Sequence, residues 1–217
     1  MKKLITLTLI VMVLSLSAMA TPTVKFIGMG PNEIYYGLNA YAGEMKFIAS
    51  GIAGIADGQF TTFCVEGNEH VYQNTTYDAV LNTGAVHGGL TGGDPDYLSN
   101  STAWLYNDYL DNVLGQTFSN TTARNYQVAI WYLEGEITSL DASDGAWALI
   151  NEANNHLGWT NTTIKVLNLY ALGTYGTSNP VYMQDCLVRV VVPVPGAVIL
   201  GGIGVSLVGW MRRKKSL

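Results

Sequence analysis

Positive charge is the scarcest commodity in this chain. Only eleven of its 217 residues are Lys or Arg. Six of those lie at the two ends, at Lys2, Lys3, Arg212, Arg213, Lys214 and Lys215. Between Thr21 and Val192 five basic residues (Lys25, Lys46, Arg124, Lys165, Arg189) face sixteen acidic ones, which leaves −11. A surface of that sign repels phosphate backbones and argues against nucleic-acid binding. It suits solubility outside a cell, or association with divalent cations and charged polysaccharide.

Other shortages narrow the function further. The three histidines, His70, His87 and His156, have no regular ligand spacing, so no metal site and no cofactor is expected. No phosphate loop, nucleophile elbow or metalloprotease helix is present. Glu134 and Glu136 straddle Gly135 near a helix end and invite comparison with a glycosidase pair. Two residues apart on a helix they point to different faces, and solvated charges are expected instead. Glu66-Gly67-Asn68-Glu69-His70 and Asp94-Pro95-Asp96 read as polar turns rather than cation sites. Asn74, Asn100, Asn120 and Asn161 begin Asn-x-Ser/Thr sequons, which a chain rich in Thr and Asn acquires by composition.

Long apolar runs are confined to the ends. Lys2-Lys3, the run Leu4 to Leu16 and Ala18-Met19-Ala20 form the basic, hydrophobic and small-residue parts of a signal peptide over residues 1–20. At the other end Pro193-Val194-Pro195-Gly196 opens an apolar segment closed by Arg212-Arg213-Lys214-Lys215. The sixteen residues from Gly196 to Met211 make a helix about 24 Å long, against a hydrocarbon core of about 30 Å. That is a short transmembrane helix, expected over about 196–211, with the cationic end cytoplasmic and everything upstream outside. Gly201, Gly202, Gly204 and Gly209 would weaken the same helix in water.

The 172 residues from 21 to 192 suffice for one domain with a core of its own. Val24-Lys25-Phe26-Ile27, Glu44 to Ala49 and Gln59 to Val65 read as strands. The stretch from Asn82 to Asp96, with five glycines and a proline, is expected to be loop. From Ser101 the apolar period changes to about 3.6. Ala103, Tyr106, Leu110 and Val113 share one helical face; Tyr126, Ile130, Leu133 and Ile137 share another, with Thr121 or Thr122 as its cap. A third helix is expected from an Asp144 cap, with Trp147, Ile150, Asn154 and Leu157 inward and Gly158 ending it. Strands return at Thr163 to Leu169 and at Val181 to Val192. The fold class is α+β: β-sandwich-like strands with an inserted helical middle.

Chemistry concentrates at the joints of this layout, in Phe63-Cys64-Val65, Tyr126-Gln127-Val128-Ala129-Ile130-Trp131 and Met183-Gln184-Asp185-Cys186-Leu187-Val188. At these residues the chain resembles the thioester domains of bacterial surface proteins. Those carry an aromatic-Cys-hydrophobic motif, a Thr-Gln-x-Ala-x-Trp motif and a late hydrophobic-Gln-x-x-hydrophobic-hydrophobic motif. The resemblance implies that the Cys64 and Gln184 side chains condense into an internal thioester able to acylate a nucleophile on a partner surface. It makes Gln127 and Trp131 the residues that shape the helix beside it. Tyr126 departs from the pattern, which has Thr there. Cys186 offers another use for the same sulfur: a Cys64–Cys186 disulfide, stabilising by about 4 to 5 kcal/mol on chain-entropy grounds. Free thiols are the third state.

The tail resembles, in a Val-Pro-Val-Pro-Gly variant, the PEP-CTERM sorting signals of Gram-negative envelope proteins. Its Pro193, Pro195 and Gly196, its Val208-Gly209-Trp210 and its terminal Arg212-Arg213 carry that likeness. It implies an exosortase-type membrane protease as partner, a membrane-held intermediate, and release or transfer of the body to the cell surface. The expected protein is therefore exported and non-enzymatic. It is either an adhesion or attachment protein using the thioester, or a structural component of an extracellular polysaccharide matrix; its target surface is not encoded in any motif.

Overall fold

The computed structural model describes residues 21–87 and 89–191. The expected signal peptide, the membrane helix over 196–211 and the sorting motif at Pro193, Pro195, Gly196, Arg212 and Arg213 lie outside the described residues. Among the described residues no helix is long and apolar enough to cross a membrane.

Among the described residues eight strands and three helices follow one another as β1 (Thr23–Tyr35), β2 (Ala40–Ser50), β3 (Gly58–Thr62), β4 (Thr76–Asn82), β5 (Gly84–Ala85), β6 (Asp96–Tyr97), α1 (Asn100–Asp111), α2 (Asn120–Leu133), α3 (Ala146–Asn155), β7 (Ile164–Ala171) and β8 (Cys186–Arg189). The helical middle between two blocks of strands is as the periodicity predicts. The sandwich is not. Six strands form a single antiparallel sheet in the order β3-β2-β1-β4-β7-β8. This sheet curls until its outer strands meet beyond β3: Leu187 N–H donates to the Phe63 carbonyl at 3.0 Å and Val65 N–H to the Asp185 carbonyl at 2.9 Å. The result is a near-barrel rather than two stacked sheets.

Bulges in β1 allow that curvature. Its register against β2 slips between Phe26 and Gly28 and again between Met29 and Asn32. At the second slip the β1 backbone crowds Gly43, where a Cβ would come within 2.4 Å of the Pro31 carbonyl oxygen. Only glycine fits there.

Two sequence expectations fail around β7. The Asn82 to Asp96 stretch is not all loop, since β5 and β6 pair across it. This small ribbon packs against β7, and Asn168 Nδ2 donates to the Gly84 carbonyl at 3.1 Å. With α1 also touching β7, most of that strand is buried, including both Leu167 and Asn168. The central strand β4 has no clear strand pattern in the sequence. Its buried Tyr77-Asp78-Ala79 places a carboxylate in the core, and that breaks the apolar signature. Asp78 is satisfied by the Gly173 and Tyr175 N–H groups at 2.8 and 3.2 Å.

Helix α2 begins at Asn120, before its expected Thr121 or Thr122 cap, and α1 one residue before Ser101, whereas α3 begins at Ala146, two residues after Asp144. Ser99 and Ser119 accept from Thr102 N–H and Thr122 N–H at 3.1 and 3.0 Å, so serine rather than threonine caps α1 and α2. Asn112, left-handed at φ 50°, ends α1 and leaves Val113 exposed. In α3 the inward residues are Ala146, Leu149, Ile150 and Ala153; Trp147 is half-buried, Asn154 is exposed, and Leu157 is exposed beyond the helix end at Asn155. Asp144 accepts from Ala146 N–H and pairs with Arg124, tying α3 to α2. Helix α2 packs against β1 and β2 and carries its motif residues into the core.

Candidate functional site

Cys64 lies two residues past the end of β3 and is 7% exposed. It forms an antiparallel bridge with Cys186 at the start of β8. The hydrogen bonds on either side of this pair run from Leu187 to Phe63 and from Val65 to Asp185. Cys64 and Cys186 are therefore a non-hydrogen-bonded pair, whose side chains stand close on one face. The same geometry turns the N–H and C=O of Cys64 away from β8, toward a free edge.

Gln127 of α2 fills that edge. Its Oε1 accepts from Cys64 N–H at 3.1 Å and its Nε2 donates to the Cys64 carbonyl at 2.8 Å. The carboxamide thus acts as the peptide group of a missing strand. Fully buried, it leaves neither backbone group of Cys64 unpaired. The Cys64 Sγ–H also points to Gln127 Oε1, at 3.2 Å. The resemblance assigned Gln127 to shaping the helix; in the structure it fixes the cysteine.

Gln184 precedes Cys186 by two residues and is the diagonal neighbour of Cys64 across the same strand pair. Its Nε2 donates to the Glu66 carbonyl at 2.9 Å, and its side chain is buried. Cys64, Gln184 and Trp131 line one cleft of about 580 Å³ together with Glu66, Glu69 and His70. Met29, Leu38, Met45 and Val71 make much of the rest apolar. Both cysteines are buried.

Trp131 is 1% exposed, and its Nε1–H has no partner in hydrogen-bonding geometry. It nevertheless lies near enough to the Cys64 sulfur to favour the thiolate slightly. Burial outweighs that and pushes the Cys64 thiol well up, with Glu69 and Glu66 adding to the rise. An unpaired buried donor near the Cys64 thiol, lining the cleft that also holds the Gln184 carboxamide, is the kind of group an oxyanion developing there would need.

Tyr126 has a different job from the threonine of the motif. Its hydroxyl donates to Asp108 Oδ2 of α1, and its ring stacks on Phe63 with centroids 6.3 Å apart. It anchors the helix one residue before Gln127 and does not enter the cleft.

The acidic residues are the largest surprise. Glu66, Glu136 and Asp185 are at most 3% exposed, so the solvated charges expected at the Glu134–Glu136 pair are not found. Gly135, at φ 82°, turns the chain at the end of α2. Glu136 then accepts from Gly67, Leu90 and Thr91 N–H at 2.8, 2.9 and 3.4 Å. Glu134 goes the other way and accepts from Ser99 Oγ at 2.7 Å. Burial and neighbouring carboxylates raise Glu66 to about 9 and Glu69 to about 8, and burial raises Asp185 to about 7. For Glu66 and Glu136 the signal in the sequence is the neighbouring glycine, Gly67 or Gly135, where the chain turns; Glu69 and Asp185 have no such mark. Among the described residues no group of three or more His, Cys, Asp or Glu side chains could hold a metal ion.

No family model matches the chain, and neither does any curated protein. A solved structure similar to it is the N-terminal thioester domain of a surface protein from Clostridium perfringens, in a cysteine-to-alanine form. The identity is 14% and the TM-score 0.43, over 78% of this chain and 99% of that one. At that score the likeness is loose, and the reading of the site rests on its own geometry.

Proposed function

We propose that the chain is an exported surface protein that attaches covalently, through a thioester between Cys64 Sγ and the Gln184 side-chain carbonyl. One observation carries this: the closure of the sheet makes Cys64 and Gln184 diagonal neighbours lining a single cleft. Proximity of this kind replaces a bimolecular encounter by a local one. The thiol attacks the carboxamide carbon, the S–C bond forms, the C–N bond breaks, and ammonia leaves. Trp131 Nε1–H holds the oxyanion, Gln127 holds the cysteine backbone, and the apolar wall limits hydrolysis. A primary amine on a partner surface then takes the acyl group from sulfur. Each molecule reacts once, so the protein is an attachment device without turnover.

The tail supplies the address in this proposal: an exosortase-type protease reads residues 193–217, and the body passes to the cell surface or to a polysaccharide matrix. A second reading rests on the Cys64–Cys186 pairing, which suits a structural matrix component with a disulfide and no acyl transfer. Cys64→Ala separates the two. Loss of amine capture with folding intact supports attachment; unfolding with no capture to lose supports the structural bond. Equal membrane retention with and without residues 193–217 would contradict the address.

A further inference from the structure

Thioester formation has a proton problem in this cleft. Burial keeps the Cys64 thiol protonated, yet sulfur must shed that proton to attack. The Gln184 nitrogen must gain one to leave as ammonia. Gln127 Oε1, the acceptor of the thiol, is an amide oxygen and cannot take the proton away.

Glu66 is the group of the cleft that can meet both demands. Two residues beyond Cys64, it lines the same cleft, and its backbone carbonyl already holds Gln184 Nε2 at 2.9 Å. It is 2% exposed, and its Oε2 has no hydrogen-bond partner. The other acid of the cleft is committed elsewhere, since Glu69 Oε2 accepts from Asp185 N–H at 2.9 Å. Glu136 spends both oxygens on backbone donors. The groups facing Glu66 are Glu136 from the turn after α2, whose carboxylate is within hydrogen-bonding reach of it, Glu69 from its own loop and Asp185 from the segment before β8. Burial first, and then these carboxylates, lift it to about 9, so it carries its proton at neutral pH.

We propose that the Glu66 carboxyl is the proton-transfer residue of this site, giving its proton to Gln184 Nε2 as the C–N bond breaks and taking the Cys64 thiol proton as the S–C bond forms. The carboxyl ends as it began, and one thioester and one ammonia result. A primary amine runs the same steps in reverse: its N–H proton passes to Glu66 and the Glu66 proton to Cys64 Sγ. This inference rests on the thioester reading and goes beyond it by assigning the acid.

The test uses the full chain, refolded in detergent, with loss of one ammonia followed by intact mass across pH. Glu66→Gln is a neutral isostere of the protonated acid and is expected to keep the wild-type melting temperature. It should slow thioester formation by about hundredfold or more, and Glu66→Asp should restore part of the rate. The wild-type rate should fall as pH rises through about 9, and that limb should vanish in Glu66→Gln. Equal rates and equal pH profiles for the two would overturn the proposal and leave the thioester standing. A wild-type rate without the limb would overturn it even if the variant failed to fold. A wild-type chain that neither loses ammonia nor captures methylamine would overturn both.

Discussion

Cys64 and Cys186 stand directly opposite each other in a non-hydrogen-bonded antiparallel pair at the seam where the sheet closes. The same sulfur therefore has two partners within one strand step, a thiol across and a carboxamide on the diagonal. A mild oxidant acting before the thioester forms is expected to trap a fraction of the protein as the disulfide. That fraction should be two hydrogens lighter and inert to methylamine until reduced. Cys186→Ala should abolish it and raise the methylamine-reactive fraction.

Gln127→Ala removes the carboxamide that pairs with both backbone groups of Cys64. Two buried polar groups would lose their partners, which costs about 2 to 4 kcal/mol. Urea denaturation should show this as a lower midpoint with an unchanged slope. The thiol should also react faster with small alkylating agents, because the seam opens locally.

Trp131→Phe keeps an aromatic ring at the site and removes the unpaired N–H. The smaller side chain leaves a cavity in the core that costs about 1 kcal/mol, partly offset by the loss of an orphaned donor. The rate of thioester formation should fall by about a hundredfold if the indole holds the oxyanion, and a refolding time course read by mass would show it.

Stability should depend on pH with a definite sign. Glu66, Glu69 and Asp185 have raised values in the folded chain, so the folded state holds protons that the unfolded state releases. Their contribution is full below about pH 4 and is lost as pH rises through about 7 to about 9. Asp144 runs the other way, because the Arg124 guanidinium depresses it and its contribution fades as acid protonates it. The melting temperature should therefore peak in mildly acidic solution and decline toward alkaline pH.

It was the resemblance of three short motifs that singled out Cys64, Gln127, Trp131 and Gln184; the structure lines the cleft with Cys64, Trp131 and Gln184 and places Gln127 behind the cysteine. What the sequence could not convey is long-range. The meeting of the outer strands depends on bulges in β1, which leave no local mark beyond Gly28 and Gly43. Strand β4 was hidden by the core carboxylate of Asp78, whose partners arrive from Gly173 and Tyr175, far along the chain. Glu136 looked solvated because its three backbone donors lie 45 to 69 residues away. Buried acids are invisible to hydropathy until their partners are in place.

The central claim is that Cys64 and Gln184 form one covalent bond. Intact mass of the purified chain, before and after methylamine, tests it most directly. The expected wild-type mass is short by one ammonia and rises by one methylamine on treatment, with the adduct on Gln184 and with Cys64→Ala showing neither change. A full unmodified mass that methylamine leaves untouched would contradict it.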